Sequence, residues 1–302
     1  MKEISESERI QRALNQGESV TAVIYEPDII GAIIGQAELL SRGIPNIDSF
    51  RMRGIYEATG GIAVKLSALR YHSQRFRELQ DQRLAELELD SDSFETIKRG
   101  VIICEKEMLF EFEAFFFQIK STLDMLVKIF VPVFGGKRST LSTYGADGKD
   151  VITYLEQLKK DKKLELPIGR LDWLIELIQQ VKDPWLKPLI ALRDTVSHYR
   201  SFIGIGFTWN AETKEINVPM ADVGGSVYPL VEVMKRETEQ LIDYSREFIS
   251  RAILCAVPPN IGFYPMSENG KSILQRLVGQ RLVSSDLQPE FQCPAQLCGK
   301  RH

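Results

Sequence analysis

The sequence predicts a mainly α-helical protein with a β-hairpin inserted late in the chain. Three observations carry that expectation. Apolar residues recur at steps of three and four through most of the chain, the spacing of helices with one buried face. Clean alternation is confined to one stretch, where Ile203, Ile205, Phe207 and Trp209 are separated by small or polar residues. The composition, 44% apolar and 26% charged over 302 residues, is that of a globular chain able to bury a stable core without cross-links.

Taken in order, residues 3–16 read as a short helix. Ser19 to Tyr25 (SVTAVIY) is β-branched and suits a strand, a choice that so short an apolar run leaves open. Asp28 is placed to cap a helix through Leu40 that Gly43 and Pro45 close. Ser49 to about Asp90 is helical and strongly charged, weakened in the middle by Gly60-Gly61, and Arg75 to Asp90 reads as a solvated amphipathic helix.

One long helix is expected from about Ser93 to Phe134. Leu109, Phe112, Phe116, Ile119, Leu123, Leu126 and Phe130 form a heptad-like stripe. Phe110, Ala114, Phe117, Met125 and Ile129 widen it, so the helix should be buried on two sides, within its own chain or against a second subunit.

Gly135-Gly136 ends that helix, and helical patterns resume at 148–163 and 168–182 after a polar loop. Asp183-Pro184 offers an N-cap and a first-turn proline for the next helix, PWLKPLIALRDTVSHY, with Pro188 as a kink or a later start. The hairpin follows, turning at NAET and returning through KEINV. A long helix is expected from about Val227 to Ala256, with Leu241, Tyr244, Phe248, Ala252 and Cys255 on one face, until Pro258-Pro259 breaks it. A last helix at about 268–279 precedes a tail of low structural content.

The net charge of −3 gives no global attraction to nucleic acid, so any RNA contact must come from a local patch. Four cysteines make no disulfide framework; Cys104 and Cys255 fall in apolar stretches read as helical. The first sixteen residues are charged and lack the apolar core of a secretory signal. The most apolar long segment, Met108 to Phe134, is interrupted by Glu111, Glu113, Lys120, Asp124 and Lys128, which a bilayer span would not tolerate. A soluble cytoplasmic protein without a membrane partner is expected.

Three histidines, His72, His198 and His302, rule out a multi-histidine metal site, and no phosphate-binding loop or nucleophile-elbow motif is present. The one stretch with a specific chemical signature is Arg193-Asp194-Thr195-Val196-Ser197-His198. Asp194, four residues before His198, lies on the same helical face and can accept a hydrogen bond from the imidazole, fixing its tautomer. Arg193 lies about 140° round a continuing helix, so it converges with His198 only if the helix ends near Ser197 or a second subunit supplies one of the two. Guanidinium and imidazole together suit a phosphodiester, and neither needs a metal or cofactor.

In these residues the chain resembles the HEPN superfamily, helical domains whose ribonuclease members carry Arg, a polar residue, a few more positions and then His near the end of a helix. Leu192 before the arginine and Tyr199 after the histidine fit the same pattern. The resemblance implies a division into residues 1–90, a mostly helical region of unknown role; 91–257, a HEPN-like bundle; and 258–302, a helix and tail. It also implies a homodimer that joins two motif copies and cleaves RNA through the 2′-hydroxyl. His198 would be the general acid and base, Arg193 would stabilise the pentavalent phosphate, and Asp194 would orient the pair. The hairpin is no part of the minimal bundle, and nearby basic residues are few (Lys187, Arg200, Lys214). The alternatives are a non-catalytic HEPN-like module holding a protein partner or nucleotide, and a helical scaffold.

Weaker signals are read as structural. Cys293, Cys298 and His302 lack a fourth zinc ligand and belong to the tail. His72, near Arg70, Arg75 and Arg77, is placed on a solvated helix face, and Trp173, Trp185 and Trp209 are expected to pack rather than stack bases.

Overall fold

The longest helix forms where the sequence places it. In the computed structural model, which describes residues 29, 31–135, 141–145, 147–161, 168–190, 206–223 and 225–258, a π-helical turn at Gly31–Gly35 leads into α1 (Gln36–Ser41), and α2 runs from Ser49 to Leu89. The expected elements at 3–16, 19–25 and 268–279 lie outside the described residues. Asp48 caps α2, its carboxylate accepting the Arg51 amide at 2.7 Å. Gly60-Gly61 does not interrupt the helix. A Cβ on Gly61 would sit 2.5 Å from Met125 Cε, and one on Gly54 would sit 2.9 Å from Pro132 Cβ, so the missing side chains let a second helix approach closely.

That second helix is shorter than the sequence suggests. Instead of one helix from 93 to 134, the chain forms α3 (Ser91–Lys98), a short strand β1 (Ile103–Cys104), α4 (Lys106–Leu126), a 3-10 turn at Val127–Ile129 and α5 (Phe130–Phe134). The break has a local cause. Gly100 adopts φ 85°, its amide bonding Ile97 O at 2.8 Å to close α3, and the β-branched run Val101-Ile102-Ile103 then extends. Cys104 is therefore an exposed strand residue and not a helical one.

α4 lies antiparallel along α2. Its stripe of Phe112, Phe116, Ile119, Leu123 and Leu126 is buried, and Phe76 of α2 meets Phe112 at 6.3 Å between ring centroids. The predicted stripe is thus consumed inside the chain. Arg51 reaches across from α2, donating through Nε to Pro132 O at 2.9 Å and through Nη2 to Val133 O at 2.5 Å, which satisfies carbonyls at the end of α5. Residues on both sides of position 90 share one continuous buried cluster, so that position is a helix break within a common core.

Among the described residues the remaining elements are α6 (Lys149–Lys160), α7 (Ile168–Val181), four strands and α8 (Leu230–Leu254). β2 (Gly206–Asn210) and β3 (Glu215–Asn217) form the expected hairpin, with Trp209 opposite Ile216. β1 adds to its outer edge, giving an antiparallel order β1-β2-β3. A second hairpin, β4 (Met220–Val223) with β5 (Ser226–Pro229), was not anticipated; it takes up Val227 to Pro229, so α8 begins at Leu230. Leu241, Tyr244, Phe248, Ala252 and Cys255 are all buried, as their spacing predicts. α8 packs on α1, α2 and α7, and Gln36 Nε2 donates to Ser250 Oγ inside that contact. Among the described residues, no helix is long and apolar enough to cross a membrane.

Phe112 joins α2 and α4 in the core. Phe112→Ala is expected to lower the unfolding free energy by about 3–5 kcal/mol, measured as a shift in the urea midpoint at unchanged slope.

Candidate functional site

Arg193, Asp194 and His198 lie outside the described residues, as do Arg200, Cys293, Cys298 and His302. The chain on either side of the motif is described, and both flanks are firmly held.

Upstream, α7 does not stop for a new helix capped by Asp183. It widens into a π-helical turn at Lys182–Leu186 and continues as helix through Ile190. A wide turn tolerates Pro184, which has no amide to donate. The Asp183 carboxylate bonds Lys187 Nζ at 2.6 Å instead of capping, and that hydrogen bond holds its acid below the usual aspartate range. Lys182 bonds Asp147 at 2.9 Å with the same consequence for Asp147.

Trp185, in the middle of this turn, is the main anchor. Its indole Nε1 donates to Glu237 Oε2 at 2.5 Å, and its ring meets Tyr244 edge-on at 5.5 Å. Glu237 is only 3% exposed, and its other oxygen accepts Arg236 Nε at 3.0 Å and Nη2 at 2.8 Å. A buried carboxylate is tolerable because three donors converge on it. Leu186 and Leu189 add buried apolar contacts on the same side. Beneath them the hydroxyls of Tyr144 and Tyr244 bond one another. Burial pushes both hydroxyls above the ordinary tyrosine range, the Asp147 charge adding to this at Tyr144 and the facing Tyr144 at Tyr244.

Downstream, the chain re-enters at Gly206, paired with Cys104 across β1 and β2. A Cβ there would stand 2.4 Å from Ile102 Cγ2 and 3.1 Å from Ile103 O, so this close strand contact requires glycine. Phe207 beside it is fully buried. The motif therefore sits in the segment 191–205, between an aromatic anchor and a strand clamp.

Glu237 was missed by sequence reasoning, although a signal existed. It occupies the apolar phase of α8 set by Leu230, Met234, Leu241 and Tyr244, where a charged residue needs a buried partner.

The other singled-out residues have structural surroundings. His72 is not on a solvated face: its Nδ1 lies 2.6 Å from Glu111 Oε2, with both side chains about one-fifth exposed between α2 and α4. Trp173 lies under the Arg251 guanidinium at 4.2 Å, and Trp209 meets Phe94 edge-on. Cys255 is buried against Arg170, and burial pushes its thiol up to about 12. Lys214 occupies the hairpin turn with φ 62°. Among the described residues, no group of three His, Cys, Asp or Glu side chains is placed to hold a metal ion.

Compared with known proteins, no family model matches the chain, and no curated protein or solved structure matches it.

Two outcomes test the anchor. Trp185→Phe leaves Glu237 Oε2 without its indole donor and is expected to cost about 1–3 kcal/mol in urea unfolding; Glu237→Gln, whose amide nitrogen must face either the indole or the two Arg236 donors, should cost at least as much. The tyrosine pair sets an alkaline limit. Its hydroxyls ionise later in the folded protein than in the unfolded chain, where tyrosine titrates near ~10. Their contribution is therefore complete below that pH and lost as pH rises above it. Alkaline unfolding followed by tyrosinate absorbance should move to higher pH, relative to each protein's neutral stability, in the double variant Tyr144→Phe/Tyr244→Phe.

Proposed function

We propose that the chain is a HEPN-like, metal-independent endoribonuclease, acting in the cytoplasm as a homodimer whose two motif copies form one composite site. The observation that carries this reading is Arg193-Asp194-x-x-x-His198, which supplies a phosphate-binding guanidinium, an orienting carboxylate and the chain's one histidine outside the tail and the α2–α4 contact. The two held flanks support it. Placement of a reacting group within about half an ångström needs packed surroundings, and the chain is packed at Trp185 before the motif and at Gly206 after it.

In the proposed reaction an imidazole accepts the proton of the ribose 2′-hydroxyl as O2′ bonds to phosphorus. The bond from phosphorus to O5′ then breaks, and O5′ takes a proton from the second imidazole of the pair. The products are a 2′,3′-cyclic phosphate and a 5′-hydroxyl. Arg193 neutralises the pentavalent phosphate, and Asp194 holds the His198 tautomer.

One observation favours the second reading, a non-catalytic module for a protein or nucleotide. Lys187, the described cation nearest the motif in sequence, is tied to Asp183, which leaves less free positive charge for a polynucleotide backbone.

The deciding experiment is cleavage of a mixed single-stranded RNA pool in EDTA. Wild type should cut and leave cyclic phosphate ends, and His198→Ala should reduce the rate at least about 100-fold. Cutting that survives the substitution would remove His198 from the mechanism. A wild type that leaves the pool intact would favour the binding module.

A further inference from the structure

Three contacts fix how the helix that leads to the motif lies on α8. Arg170 Nη1 donates to Leu254 O at 2.7 Å, Arg251 Nη1 donates to Trp173 O at 2.6 Å, and Trp185 Nε1 donates to Glu237 Oε2 at 2.5 Å. A step forward along the first helix is a step back along α8, so the two run antiparallel. Continued from these contacts, the register sets Ile190, the last described residue before the motif, beside Leu230 to Met234 at the start of α8.

The β4–β5 hairpin packs on that end of α8. Pro219 O accepts the Leu230 amide at 2.9 Å, and β5 runs directly into the helix. The hairpin is a two-stranded sheet of its own, separate from β1-β2-β3. Its Tyr228 is 39% exposed, and the Arg236 guanidinium stands 5.5 Å from the centre of the ring. Through Nε and Nη2 the same guanidinium is bonded to Glu237, whose other oxygen takes the Trp185 indole. Tyr228, Arg236, Glu237 and Trp185 thus form one run of contacts, from a solvent-facing ring to the helix that carries the chain into the motif.

We propose that Tyr228 is a stacking platform for one unpaired base of an RNA strand at the motif, with Arg236 as the residue that positions the ring. A guanidinium is attracted to the electron-rich face of an aromatic ring. Its two bonds to a buried carboxylate keep it from following the solvent. The ring is therefore held in one orientation before a base arrives, and little further ordering is needed on binding.

Charge decides between base and phosphate. Arg236 is paired with Glu237, and Asp222, Glu232 and Glu239 are exposed on the same elements beside Lys235. Such a surface offers a phosphate little attraction. Stacking on an aromatic ring needs no charge and accepts any base. Among the described residues of this hairpin, Val227 is the other exposed large apolar side chain, and two such residues are too few for a protein interface of standard size. The substrate class follows. A base inside a duplex is already stacked on both faces, so the strand must be unpaired where it meets Tyr228. This inference rests on the RNA part of the proposed function and requires no cleavage.

Fluorescence anisotropy of a labelled single-stranded oligoribonucleotide tests it with the full chain. Complete 2′-O-methylation leaves no 2′-hydroxyl to attack, so binding is read without cutting. Tyr228→Ala should raise Kd about tenfold or more at unchanged circular dichroism. Tyr228→Phe, which keeps the ring, should bind like wild type. A strand of the same length built from abasic nucleotides should be bound alike by wild type and Tyr228→Ala. Arg236→Ala should weaken binding in the wild type and add nothing in Tyr228→Ala, because its effect runs through the ring; additive losses would give Arg236 a contact of its own and end its positioning role. Equal affinity in Tyr228→Ala and wild type would overturn the platform, as would a duplex bound as tightly as the single strand. A wild type that binds no oligonucleotide would overturn it too and leave Tyr228 to another partner. Cleavage of unmodified RNA separates the two readings. A wild type that binds through Tyr228 and leaves RNA intact tells against catalysis alone, and cutting with Tyr228→Ala binding and cutting normally tells against the platform alone.

Discussion

Gly61 lets α2 and α4 lie so close that Met125 occupies the space its side chain would need, Gly54 does the same for Pro132 of α5, and most of the architecture follows from that contact. A helix of 41 residues cannot be stabilised by propensity alone, since isolated helices gain little per residue and rely on packing of one face. Close approach turns the α2–α4 pair into a rigid layer, with Phe76, Phe112 and Phe116 filling it and Arg51 fastening its end to the carbonyls of α5. α8 then closes the other side of this layer, and its aromatic residues receive the turn that leads toward the motif.

Closure by α8 is more polar than its long apolar face suggests. Glu237, Glu247, Ser250 and Arg251 are all buried, and each has a partner: Trp185 and Arg236 for Glu237, Arg251 for Glu247, Gln36 for Ser250. Such groups add little net stability, because desolvation consumes most of what the bonds return. They restrict geometry instead. Leucine faces can slide past one another, whereas Glu237 is satisfied only when the indole of Trp185 and the guanidinium of Arg236 converge on it. The π-helical turn at Lys182–Leu186 is the local distortion that brings Trp185 to this position.

Element types were legible in the sequence because helical periodicity survives in nearly every segment. The apolar face of α8 and the hairpin turning at NAET could be read directly, whereas its register, Trp209 opposite Ile216, could not. Breaks were harder to see. The division of 93–134 depends on Gly100 and on a strand whose partner, Gly206-Phe207, lies a hundred residues away, and a window of local sequence contains neither the pairing nor its benefit. Gly60-Gly61 misled in the opposite direction, since a glycine that weakens an isolated helix strengthens one that needs close approach. Asp183-Pro184 has the chemistry of a helix start. Lys187 captured the carboxylate, and the helix ran on. For the candidate site, the sequence supplied the Arg193–His198 motif and the fold supplied the contacts on either side of it. Trp185, Glu237 and Gly206 belong to no motif and became recognisable only as contacts.

The separation between the motif and its flanking contacts bears on the proposed use of Arg193 and His198. A motif of six residues on one helix does not bring arginine and histidine to one point, because five positions turn the side chains about 140° apart. Convergence has to come from a change of backbone direction or from a second copy. The flanks favour neither by themselves, but they narrow the motion open to both. Ile190 leaves a helix pinned by a buried indole–carboxylate bond, and Gly206 enters a strand with no room for a Cβ. A shift at either end would strand the Glu237 charge or drive Ile102 into the backbone of β2.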